Sequence, residues 1–327
     1  MSLSRRSVLF TGLGAAAAVL TGCSTGSAAA PAPENGPGFP VTVPGKEGAV
    51  TVPKPPTRVV AAGYLRDTDI ALALQAPLVG VARNSVFPTG LAPWQRTNAE
   101  LFDASGGMPF ERIAALRPDL ILAADDYTLN KDNQNLTRLA PPLGYQAGVG
   151  ADSWQTMTSR AGQVLGKPAE AEELVTKTEQ AITKTKGANK ILAGKTFTFG
   201  PVSKLDSVFT INGAGDASAK FFAQLGLVLS PQVASLPSSS TPGRAQLSPE
   251  QLGLLDADVV IIAYMNPGIR AEFEAQPLFQ SLKAVQRGSY VALDEAAAIA
   301  VAFPSVLSIP YGLSATVPKL VAAAGKS

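Results

Sequence analysis

Beyond about residue 45, short apolar runs alternate with stretches whose apolar positions recur every three or four residues. Arg58-Val59-Val60-Ala61-Ala62-Gly63 reads as a strand entering a loop, and Val79-Gly80-Val81-Ala82 as a second short strand. Asp119-Leu120-Ile121-Leu122-Ala123 has the continuous apolar character of a strand buried on both faces. Helices are predicted over 70–74 and 111–116. The second half repeats the theme, with strands over 197–199, 259–263 and 290–293 and a helix over 220–225. This alternation predicts an α/β protein of two Rossmann-like lobes, each a parallel sheet with covering helices.

Between the halves, 168–186 is helical in pattern, opened by Pro168 and closed by Gly187. Leu174, Thr178 and Ile182 form a narrow stripe, and Glu173 faces Lys177 one turn on. The pattern predicts a single long helix, 167–188, bridging an N-terminal lobe (46–166) and a C-terminal lobe (189–327), with a ligand cleft between. One helix bends less readily than several strands, so only small lobe motion is expected. An internal echo supports related halves: Glu111, Ile113, Leu116 and Asp119 recur at the same spacing as Glu250, Leu252, Leu255 and Asp258.

Composition narrows the chemistry. The chain has 327 residues, one cysteine and no histidine. The length suits two cores. Without histidine there is no Ser-His or Cys-His dyad and no imidazole metal ligand, and one cysteine makes no intrachain disulfide. No metal site, no cofactor and no enzymatic activity are expected. No basic stripe with interleaved aromatics suggests a nucleic-acid partner.

Residues 1–22 read as an export signal, with Arg5-Arg6 before a short apolar stretch. Leu20-Thr21-Gly22-Cys23 resembles the lipobox of bacterial lipoproteins, which makes Cys23 the lipidated residue. Residues 23–45 are then a lipid-anchored tether, barest from Ser24 to Pro40. Loss of 1–22 removes two arginines and no acid from a balance of 27 basic to 25 acidic residues, leaving a neutral chain.

Three motifs look like chemistry without meeting its requirements. Gly213-Ala214-Gly215 lacks the third glycine and the later acid of a dinucleotide fingerprint, and reads as a turn before the helix carrying Phe221-Phe222. Gly325-Lys326-Ser327 lacks the first glycine of a phosphate loop. Asp125-Asp126 reads as a solvated loop.

The ordered pieces Pro56-Thr57-Arg58-Val59-Val60, Phe110-Glu111-Arg112-Ile113 through Pro118-Asp119-Leu120-Ile121, Phe221-Phe222-Ala223-Gln224-Leu225-Gly226, Leu247-Ser248-Pro249-Glu250-Gln251-Leu252 and Leu282-Lys283-Ala284-Val285 carry a resemblance. From about Pro56 to its end the chain resembles the siderophore/cobalamin-type (cluster A, class III) substrate-binding proteins of bacterial ABC importers. The resemblance implies a monomer, anchored outside the cytoplasmic membrane, that hands its ligand to a two-fold permease and its ATPase. It also implies that Glu111 and Glu250, one on each lobe, dock into arginine-lined permease pockets. Their first-turn positions and the Ser248–Gln251 capping box offer a purely structural alternative.

Ligands of such sheets bind outside the carboxyl ends of the strands. The strand ends give Tyr64, Arg66, Arg83 and Tyr127 in the first lobe, and Lys204, Arg244, Tyr264, Asn266 and Arg270 in the second. Phe87 and Trp94 are weaker candidates for a cleft wall, and Tyr311 is expected to pack within the C-terminal helical region. Arginine forks and amphipathic tyrosines suit a ferric siderophore, an iron chelate that is bulky and often anionic. Haem, with Tyr64 or Tyr127 as iron ligand, and cobalamin are alternatives of the same class. An envelope sensor or scaffold without transport is the alternative of a different class.

Overall fold

The computed structural model describes residues 38–148, 150–240 and 243–327; the export signal, Cys23 and most of the expected tether lie outside them. The end of that tether is structured. β1 (Val41–Val43) pairs antiparallel with β2 (Val50–Val52), two Val-Thr-Val segments that place Val43, Val50 and Val52 in the core. The tether expectation is corrected here, because alternating apolar and polar residues on both segments give a strand pair one buried face.

β3 (Val59–Ala61), β4 (Leu78–Ala82), β5 (Glu100–Phe102), β6 (Leu120–Leu122) and β7 (Pro142–Leu143) form an all-parallel sheet in the order β5-β4-β3-β6-β7. Val59, Leu120 and Leu122 join Ile70, Leu74 and Met157 in one core. Val60 and Ile121 leave on the other face to meet Ile113, Leu129 and Leu136. Burial on both faces accounts for the unbroken apolar runs. The first lobe carries helices α1 (Arg66–Ala73), α2 (Phe110–Ala115), α3 (Leu129–Thr137) and α4 (Trp154–Val164).

The second sheet holds β8 (Thr196–Lys204), β9 (Ser207–Ile211), β10 (Val228–Leu229), β11 (Arg244–Leu247), β12 (Val259–Tyr264) and β13 (Tyr290–Leu293). Its main path is β11-β9-β8-β12-β13, with β10 beside β8. Here the expectation of a wholly parallel sheet is corrected. β8, β10, β12 and β13 are parallel, whereas β9 runs antiparallel to both β8 and β11. Leu205-Asp206 turns β8 straight back into β9, and a connection that short can only make an antiparallel pair.

α5 (Pro168–Ala188) joins the lobes; its 21 residues span about 30 Å. It packs on α4 in the first lobe and on the C-terminal helix Ser308–Ala324 in the second. Thr178 and Ile182 are buried and Leu174 half-buried, as the stripe requires. The helix runs through Gly187 to Ala188, with Asn189 as its C-cap, so the glycine lies inside the helix and does not close it. Gly162 allows the close approach of α4, since a Cβ there would stand 2.4 Å from the Ala171 Cβ.

The echoed halves share a clamp. Asp119 Oδ2 accepts from the Thr57 N–H at 2.8 Å and hydroxyl at 2.7 Å. Asp258 Oδ2 accepts from the Thr196 N–H at 2.8 Å and hydroxyl at 2.9 Å. Each pair spans 62 residues and staples the start of one central strand to the approach of its neighbour. The element carrying Glu250, Pro249–Leu255, is a 3-10 helix, which suits the i, i+3 spacing of its buried Leu252 and Leu255.

Candidate functional site

The site grows from the carboxyl ends of β3 and β6. Asp125 follows β6 and is fully buried, so the expectation of a solvated Asp125-Asp126 loop is corrected. Its Oδ2 accepts from the Leu65 and Arg66 backbone N–H groups at 3.0 Å each, and its Oδ1 from Arg66 Nε at 2.9 Å. The fork of Arg66 is thus largely committed to one carboxylate, the pairing that lets both charges leave water. Asp67 completes the knot by accepting from the Asp125 N–H at 3.0 Å. Burial foremost, with the Asp125 charge adding, pushes the Asp67 carboxyl up to about 7. Gly63 makes room, since a Cβ there would sit 2.0 Å from Asp67 Oδ2.

Over this charged base stands an aromatic surface drawn from both lobes. Tyr64 meets Tyr127 edge-on at 6.3 Å and, across the cleft, Phe303 at 4.8 Å. Tyr127 is 56% exposed, a large aromatic face open at the mouth. Arg244 of the second lobe lies near enough to act on the Tyr127 hydroxyl, and is itself 3.7 Å from Asp216. Deeper, Phe87 and Trp94 pack edge-on at 6.2 Å, and Trp94 meets Tyr311 at 4.7 Å. Tyr311 therefore serves the lobe boundary as well as its own helix, which corrects its expected placement. Beside this surface a cavity of about 120 Å³ is lined by Arg66, Ser153 and Trp154 of the first lobe and by Lys220, Gln224 and Pro304 of the second.

Of the expected ligand residues, the fold thus brings together Tyr64, Arg66, Tyr127 and Arg244. Arg83 is exposed, its side chain packed over the Gly90 turn, and Lys204 is exposed at the β8–β9 hairpin. Three others go elsewhere. Tyr264 is buried, its ring 6.0 Å from Phe273 and its hydroxyl 2.8 Å from that of Tyr290. Arg270 bonds Glu274 at 2.7 Å and lies over the Tyr264 ring. Asn266 caps the helix Pro267–Glu274 by accepting from the Gly268 N–H at 2.8 Å. Tyr264 is corrected as a surface group, since β12 is buried to its last residue, whereas Asn266 and Arg270 remain exposed beyond it.

Sequence reasoning missed Trp154, Lys220, Gln224 and Phe303. The loop ahead of Trp154 follows β7, a strand of two residues that gives no periodic signal. Asp216 does cap α6 (Ala217–Gln224), accepting from the Ser218 N–H at 2.8 Å, as the turn reading of Gly213–Gly215 implies. That Lys220 and Gln224 on α6 would line a cavity was not visible in that turn. Glu111 and Glu250 are both exposed, each in the first turn of its helix. Among the described residues, no cluster of His, Cys, Asp or Glu could hold a metal ion and no helix could cross a membrane.

Two α/β lobes joined by one long helix, with polar and aromatic groups converging in the cleft, define the class III substrate-binding fold. The chain belongs to the periplasmic binding protein family, whose pattern it matches over residues 60–297. It is similar to the iron-uptake ABC-transporter substrate-binding protein PiaA of Streptococcus pneumoniae: 25% identity over 88% of this chain and 100% of that one, TM-score 0.71. A periplasmic solute-binding protein of Mycobacterium smegmatis is 27% identical over 87% of this chain and 99% of its own, TM-score 0.76. PiaA in complex with ferrichrome shares the fold at 24% identity, covering 88% of this chain and 99% of that one, TM-score 0.73. No curated protein matches the sequence.

Proposed function

We propose that this protein captures a ferric siderophore outside the cytoplasmic membrane and delivers it to an ABC-importer permease. The observation that carries the reading is the convergence of Tyr64, Arg66 and Tyr127 with Arg244 and Phe303 from the opposite lobe. Tyrosine faces and hydroxyls suit the curved, oxygen-rich surface of an iron chelate, and arginine suits its residual anionic charge. PiaA, similar over nearly the whole fold, supports the ligand class through its ferrichrome complex. Burial foremost raises the Tyr64 pKa, which opposes the phenolate that haem ligation by tyrosine requires. In this reading Cys23 carries the lipid anchor, and the exposed Glu111 and Glu250 fix orientation on a two-fold permease by charge.

Tryptophan emission of the protein, titrated with ferric siderophores, haem and cobalamin, tests the ligand. Trp94 and Trp154 both border the cleft, so one siderophore class should quench saturably. Saturation by haem or cobalamin alone, or no change with the whole panel, would refute the assignment. Docking is tested separately: Glu111→Arg with Glu250→Arg should abolish uptake while binding persists, and unaffected uptake would remove the docking role.

A further inference from the structure

Behind the aromatic surface lies a buried polar node that the ligand reading does not use. Asp69, on α1, is fully buried. Its carboxylate accepts from Trp94 Nε1 at 3.0 and 3.1 Å, from Gln95 Nε2 at 2.7 Å and from Ser305 Oγ at 2.6 Å. Ser305 is 236 residues away in the chain and belongs to the second lobe. We infer that Asp69 is a positioning residue for the cleft, tying the two lobes together and fixing the ring of Trp94 and the Phe303–Ser305 turn at the ligand surface.

The chemistry of the donors makes the node specific. An indole N–H only donates, and a glutamine amide nitrogen only donates. Ser305 Oγ already accepts from the Leu307 and Ser308 N–H groups, at 3.2 and 2.9 Å, and its one hydrogen goes to Asp69 at 2.6 Å in preference to Ser308 Oγ at 3.2 Å. Three neutral donors thus converge on one group, and a carboxylate supplies the acceptors for all of them. Asparagine has a single carbonyl oxygen and would turn its own N–H groups toward these donors. The consequences reach the site directly. The Trp94 indole is held against Tyr311, and Ser305 adjoins Pro304, which lines the cavity, and Phe303, which meets Tyr64. The arrangement therefore sets cleft geometry from behind, without a ligand contact of its own.

The effect on affinity rests on the proposed ligand reading; the first readout does not. In a Trp154→Phe background Trp94 is the sole indole, and its emission and its quenching by iodide are read without ligand. Asp69→Asn should shift the emission to the red and admit the quencher. Ser305→Ala, which cuts the bond between lobes together with the Oγ contacts to the Leu307 and Ser308 N–H groups, should do so to a lesser degree. With ferrichrome as probe, Asp69→Asn should bind about tenfold more weakly, and adding Ser305→Ala should cost little more. Unchanged Trp94 emission and quenching in Asp69→Asn would overturn the inference whether or not ferrichrome binds. Fully additive losses in the double variant would overturn the tie between lobes. Should Asp69→Asn fail to fold, Ser305→Ala decides alone, and unchanged Trp94 emission there overturns the inference. Failure of ferrichrome to bind the unaltered protein would count against the ligand assignment, and the Trp94 readout would still stand.

Discussion

The two flanks of the cleft are built on different principles. On the first lobe, charge is buried beneath the surface: Arg66, Asp67, Asp69 and Asp125 are all nearly inaccessible and bound to one another or to neutral donors. On the second lobe the charged groups at the cleft are peripheral, with Arg244 and Lys220 reaching in from the rim, while Phe303 and Tyr311 supply its aromatic face and Tyr264 and Tyr290 are absorbed in packing. The contrast teaches that a pre-organised face needs only one such partner. The first lobe sets its aromatic rings over a polar base, and Phe303 and Tyr311 of the second lobe pack against them.

The contrast predicts graded effects. Asp125→Ala should be the most damaging, since it leaves Arg66 buried and unpaired, costing about 3–5 kcal/mol in urea unfolding. A loss below about 1 kcal/mol would show the base to be less buried than described. A pH effect comes next. The carboxyl of Asp67, pushed up to about 7 chiefly by burial, holds a proton that the unfolded chain releases near its ordinary value of 3.8. Between those limits the folded state binds more protons, so stability falls as pH rises. The melting temperature should therefore drop from pH 5 to pH 7, and Asp67→Asn should flatten the slope.

Tyr64→Ala should weaken siderophore binding about tenfold or more while shifting the melting temperature little. Tyr264→Phe should do the reverse, removing about 1 kcal/mol of stability with affinity intact. A loss of affinity in Tyr264→Phe would return that residue to the ligand surface and blur the distinction between the flanks. The smallest effect belongs to Glu173→Ala on α5. Its 3.8 Å pair with Lys177 is about three-quarters exposed at both ends, so a change of about 0.5 kcal/mol or less is expected.

What the sequence disclosed follows from the range of the forces involved. The central strands and α5 were legible because their burial is written into neighbouring residues, as in Leu120-Ile121-Leu122 and in the Leu174, Thr178 and Ile182 stripe. The repeated Glu-to-Asp spacing was legible too, and it became two matching clamps. Asp125 was misread because a buried acid depends on a partner 59 residues away, which no local pattern announces. Tyr264 was misread for the opposite reason. The rule about strand ends holds for the sheet as a whole, but its last residue was already claimed by Phe273 and Tyr290. The loop before Trp154 escaped notice because β7 is too short to show a period.

The paired clamps also make each lobe self-sufficient at its centre. A threonine and an aspartate at an identical 62-residue interval are joined by the same pair of bonds in both lobes. The two halves differ in their margins: one has an all-parallel sheet, while the other carries a hairpin that folds back on its long strand. Each half still closes its own central strands without help from the other. Closure repeated in this way lets the rim of one lobe vary without loosening the foundation of the other.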